Sequence, residues 1–183
     1  MWTPLTFWMG LAACWAARCA QPPIEVETIL ERDVIDSGRL EQSVCYTADR
    51  VCHELECRDA ILTAMRMVLR YSDGRRRQRT VVLPRPTQAF AAIAATAVSL
   101  FNQLNECRIA VRSITICAGR IQTDTCQADL FDGDGEGRQR ALGRSIAAIR
   151  RRSGFGAILP AATLPVYQSD LAARAGSPPG GSD

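Results

Sequence analysis

Apolar positions recur at helical spacing over four stretches of the chain. Between Arg39 and Glu56, the residues Leu40, Val44, Ala48, Val51 and Leu55 step by four, four, three and four, which predicts an amphipathic helix opened by Ser37-Gly38. Cys45 and Cys52 share one of its faces. A second stripe of Cys57, Ile61, Ala64, Met65 and Val68 predicts another helix, running to Tyr71 and stopped by Asp73-Gly74. The third stretch, Thr87 to Leu104, keeps the period through Phe90, Ile93, Ala97, Leu100 and Leu104. It is apolar nearly all round, which predicts a central, buried helix. A membrane span is the rival reading there, disfavoured because Gln88, Thr96, Ser99, Asn102 and Gln103 would be costly in lipid.

Strand signals are fewer. Thr80-Val81-Val82-Leu83 is a β-favouring run closed by Pro84. Arg108 to Ile116 is rich in β-branched residues and is read as a strand, although Cys107, Val111 and Ile114 also prolong the helical stripe. From Arg138 to Arg152 a last helix places Leu142, Ile146 and Ile149 on one face among Arg138, Arg140, Arg144, Arg150, Arg151 and Arg152. Residues 153–183, rich in Pro, Gly and Ala, read as a mobile tail. The expected fold class is mainly α with a minor β component, a small disulfide-stabilised helical domain over residues 21–152 with a flexible C-terminal tail.

The N-terminus and the cysteines carry the expectation of disulfides. Residues 1–20 (MWTPLTFWMGLAACWAARCA) resemble a secretory signal peptide, an uncharged apolar run that ends in small residues before Gln21-Pro22-Pro23. Leu11-Ala12-Ala13-Cys14 also permits a lipoprotein reading, weakened by the missing charged n-region. Cleavage would remove Cys14 and Cys19 from the eight cysteines and leave Cys45, Cys52, Cys57, Cys107, Cys117 and Cys126. An even set in a secreted chain predicts a disulfide framework, and two clusters of three require at least one bridge between them if all are paired.

Charge and candidate chemistry then narrow the function. The 183 residues hold 22 basic and 19 acidic side chains, a net charge of +3, and every basic residue is arginine. That balance is too weak to argue for nucleic acid, and none is expected as a partner. His53 is the only histidine, and no G-x-S-x-G elbow occurs, so no catalytic residue is assigned; a hydrolase using His53 is the least favoured reading. Cys52-His53 with Cys57 lacks the paired spacing of a zinc site, and Asp132 to Gly137 fails the calcium-loop pattern at Gly143, so no metal and no cofactor is expected. Arg76-x-x-Arg79 fits the minimal pattern for a secretory proprotein convertase, although an uncut basic loop is the favoured reading there.

The expected protein is therefore a secreted, non-enzymatic interaction protein that binds an extracellular or membrane glycoprotein. It would have no transmembrane anchor and would reach a membrane only through that partner, with Arg138, Arg140, Arg144, Arg150, Arg151 and Arg152 as contact surface. The small soluble subunits of herpesvirus entry complexes, the glycoprotein L type, are similar in category: size, secretion and several disulfides, with no shared motif. A helical hormone-like ligand processed after Arg79 is the alternative.

Overall fold

Residues Ile24–Val34 (IEVETILERDV) alternate strictly at their start and form strand β1, with Ile24, Val26 and Thr28 buried and Glu25, Glu27 and Ile29 exposed. Helix α1 follows over Ser37–Cys57, its first turn capped by the Asp36 carboxylate accepting from the Gly38 amide at 3.1 Å. A buried hydrogen bond of 2.8 Å from Thr47 to Thr28 ties the helix to β1. Asp59 ends the helical turn in the left-handed region, with φ 46°. Aspartate is one of the few residues that tolerates it. The chain then runs as β2 over Ala60–Tyr71, turns back as β3 over Arg76–Thr87, forms α2 over Phe90–Leu104, and closes as β4 over Val111–Thr123.

In this computed structural model, residues 22–105, 108–123 and 134–176 are described. The sheet has four antiparallel strands in the order β1-β4-β2-β3. Strands β1 and β2 flank β4, and β3 and β4 flank β2, so each helix crosses over one intervening strand. Both helices cover the same sheet face. Leu40, Val44, Ala48, Val51 and Leu55 of α1 and Ile93, Ala97, Leu100, Phe101 and Leu104 of α2 meet Met65, Met67, Leu69, Ile114 and Ile116 in one core. Tyr71 reaches through it to donate to the Leu104 carbonyl at 3.2 Å. No described helix is long and apolar enough to cross a membrane.

The expected disulfide-stabilised helical domain is thus corrected to helices layered on an antiparallel sheet. The helices at 37–57, 90–104 and 134–153 overlap the stretches of helical period, and the strands at 76–87 and 111–123 contain or overlap the β-favouring runs at 80–83 and 108–116. The stretch from Ala60 to Tyr71 is not a helix. It is a central strand, buried on both faces at Ala64, Met65, Met67 and Val68, so its apolar run lacks the alternation of a half-buried strand and mimics a helical stripe. Asp73-Gly74, read as a helix stop, is the β2–β3 turn: the Gly74 amide donates to Tyr71 at 3.1 Å and Gly74 holds φ 85°. Gly74→Ala should lower stability by about 1 kcal/mol from left-handed strain, measurable by urea unfolding.

Cys45, Cys52, Cys57 and Cys117 are free thiols. Cys52 serves as a buried apolar side chain of α1, 2% exposed. Cys107 and Cys126 lie outside the described residues, as do the segment 1–20 and its Cys14 and Cys19.

Beyond the sheet, helix α3 (Asp134–Ser153), two short 3₁₀ turns at Phe155–Ala157 and Ala161–Thr163, and helix α4 (Leu164–Gly176) form an extension. It packs on the side of α1 away from the sheet. The segment 153–176, expected as a tail, lies within it: Asp170 accepts from the Tyr46 hydroxyl at 2.8 Å, and Thr163 is fully buried. Arg150 fastens the extension. Its guanidinium donates twice to Asp49 at 3.0 and 2.7 Å and twice to the Ile158 carbonyl at 3.1 and 2.8 Å, while lying 4.6 Å over the Phe155 ring.

Candidate functional site

The two faces of the sheet differ in what they meet. Helices α1 and α2 cover one; no described helix packs on the other. From β1 across β4 and β2 to β3, the uncovered face reads in three rows: Glu25, Cys117, Arg66, Thr80; then Glu27, Thr115, Val68, Gln78; then Ile29, Ser113, Arg70, Arg76. Small side chains make its floor, with Ser113, Thr115 and Cys117 buried between longer neighbours. Arg66 stands directly opposite Cys117, whose sulfur, together with the nearby Glu25 carboxylate, favours the charged guanidinium. In the last row Arg70 and Arg76 are paired directly across two strands, and the two other members of that row are Ile29 and Ser113. Like charges at that position are destabilising unless an anion lies between or above them.

The turn beside this row adds Arg75, which pairs with Asp73 at 3.2 Å. Arg77 and Arg79 point to the opposite side of β3 from Arg76, by the period of two. The pair Arg76 and Arg79 is therefore not in a loop: it lies in a strand held to β2 at Arg70 and Met67. Pro84 and Pro86 lie within β3, an edge strand where a missing amide hydrogen costs no ladder bond.

The arginines of α3 are separated by the fold. Arg138, Arg144, Arg151 and Arg152 are exposed, and the side chain of Arg140 lies outside what is described. Arg150 corrects its expected place in a contact surface, because it is 4% exposed and its donors are taken up inside the chain. Burial raises the Asp49 carboxyl, and the hydrogen bonds and charge of Arg150 pull it back.

His53 lies on the same side of α1, 5.3 Å from the Phe155 ring, with Cys57 Sγ 3.8 Å from its Nε2. Its Nδ1 and the Oε2 of Glu56 are buried without a partner. Desolvation, then the charge of Arg150, hold the imidazole below its ordinary value of 6.5. The folded chain therefore binds fewer protons there than the unfolded one, and the contribution to stability is present above pH 6.5 and lost as pH falls through and below it. Glu56, raised from 4.5 chiefly by desolvation, acts in the opposite sense as pH rises from that value. His53→Gln should flatten the acid-side decline in thermal midpoint below pH 6.5; an unchanged profile would count against this role. Among the described residues, no group of three or more His, Cys, Asp or Glu side chains is placed to hold a metal ion.

The impB/mucB/samB family C-terminal domain matches residues 23–130, more than half of the chain. The chain belongs to that family. The match begins just before β1 and ends between β4 and α3, so the extension lies outside it. No curated protein matches the sequence. Among solved structures, the insertion ternary complex of Dbh DNA polymerase is 11% identical, covering 63% of this chain and 34% of that chain at a TM-score of 0.47. DinB from Sulfolobus solfataricus is 12% identical, covering 60% and 33% at a TM-score of 0.46. A little finger domain of PolIV, in complex with the beta-clamp processivity factor, is 20% identical, covering 52% and 86% at a TM-score of 0.40. The chain thus spans about a third of the length of the two polymerases.

Membership of the impB/mucB/samB family overturns several expectations at once. A secreted or virion-surface interaction protein, a hormone-like ligand, a glycoprotein partner to the exclusion of nucleic acid, and a protein apart from any enzyme are all set aside by it. Arg66 and Arg70, four residues apart, share one face in a helix as in a strand; a helical reading of 57–71 hides instead their pairing with Thr80 and Arg76 across β3.

Proposed function

We propose that this chain is a DNA-holding domain of a damage-bypass DNA polymerase, and that the uncovered sheet face is where duplex DNA lies. The carrying observation is the directly opposed pair Arg70 and Arg76, with Arg66 on the same face. Such a cluster is unfavourable alone and favourable beneath phosphates, to which guanidinium donates in a planar fork. Gln78 and Thr80 on the same strand add neutral donors. Membership of the impB/mucB/samB family supports the same reading. Free thiols at Cys45, Cys52, Cys57 and Cys117 fit the reducing interior where DNA is kept.

The test is a fluorescence-anisotropy titration of a labelled duplex with the full chain over a salt series. Binding should weaken steeply with salt, with a log–log slope near 0.9 per phosphate engaged. Absence of duplex binding at low salt, from a chain shown to be folded, overturns the reading.

A further inference from the structure

The charges on the uncovered face are divided by strand. Among the described side chains there, both carboxylates, Glu25 and Glu27, belong to β1, and all three guanidiniums, Arg66, Arg70 and Arg76, belong to β2 and β3. With strands about 4.8 Å apart, β1 lies about 10 Å from β2 and about 14 Å from β3. The major groove of B-DNA is about 12 Å wide. A duplex placed with one backbone on the β2–β3 arginines therefore brings its second backbone to the level of β1, where it meets carboxylates. A phosphate brought within about 8 Å of these carboxylates, the Debye length at physiological salt, is repelled by them, and the repulsion is stronger at low salt.

We infer that Glu25 and Glu27 make the grip one-sided: one strand's phosphates are held by Arg66, Arg70 and Arg76, and the β1 carboxylates hold the other backbone off the sheet. This deepens the DNA-holding reading and rests on it. Glu25 acts in a second way, since it also faces Arg66 across Cys117 and competes with phosphate for that guanidinium. Two neighbouring charges do not cancel the effect: Asp33 of β1 is paired with Arg112 at 3.4 Å, and Arg50 of α1 donates to the Glu27 carbonyl, not to its carboxylate.

The experiment compares the affinity of the full chain for a duplex and for a single strand of the same length at low salt. For the natural sequence the two affinities should agree within a few fold, because one backbone carries the contacts. Glu25→Gln with Glu27→Gln should strengthen duplex binding several-fold and single-strand binding less, with the gain vanishing at high salt. Glu41→Gln with Glu54→Gln, the same charge change on α1, should leave both unchanged. Equal gains for both nucleic acids, no gain, or the same gain from the α1 pair overturns the one-sided grip. Failure of the natural chain to bind either nucleic acid overturns the DNA-holding reading instead.

Discussion

Arg150→Ala should lower the unfolding free energy by about 3–5 kcal/mol, the usual loss when one partner of a buried ion pair is removed. Both side chains are 3% exposed, and the guanidinium is held by two oxygens of Asp49 and by the Ile158 carbonyl. Alanine would leave a buried carboxylate and a carbonyl without donors and would empty the space over Phe155. Asp49→Asn in the same chain should restore part of the loss, because the amide carries no charge to strand. Urea unfolding of the single and double variants measures both. A loss below about 1 kcal/mol, the range of an exposed pair, would show that the extension is held by its other contacts.

Replacing Arg66, Arg70 and Arg76 together by alanine should separate binding from stability. If each guanidinium neutralises one phosphate, the salt slope falls by about 3 and affinity near 0.1 M salt falls on the order of a hundredfold or more. Stability should hold or rise slightly, because the opposed pair Arg70 and Arg76 is relieved of its repulsion. Opposite signs in two measurements on one variant distinguish a binding face from a structural one. A parallel fall in both would argue that the arginines support the sheet.

The helical half of this fold was legible because α1 and α2 each bury one stripe against the sheet, and burial on one side of a helix leaves a period in the sequence. The sheet was less legible for reasons that differ by strand. Strand β2 buries apolar side chains on its uncovered face too, where Ala64 and Val68 fill positions that polar residues take in a half-buried strand. Strand β1 does alternate, at Ile24, Glu25, Val26 and Glu27, and that signal lay beside an apolar N-terminal segment that drew the reading toward secretion. Cysteine parity then reinforced it, although a count does not distinguish a bridge from a small buried side chain such as Cys52. The site itself depends on pairing across strands: Arg70 and Arg76 are opposed only because Asp73-Gly74 turns the chain, and a turn read as a helix stop puts them on unrelated surfaces.

Every cation on the uncovered face is a guanidinium, and the whole chain contains no lysine. Arginine keeps its charge to above about pH 12, and the acetylation that silences a lysine amine has no side-chain substrate here. An anion on this face meets a positive charge that neither cellular pH nor lysine acetylation can remove. If the grip is to be loosened, ionic strength, competition for the site, or the carboxylates of β1 must do it.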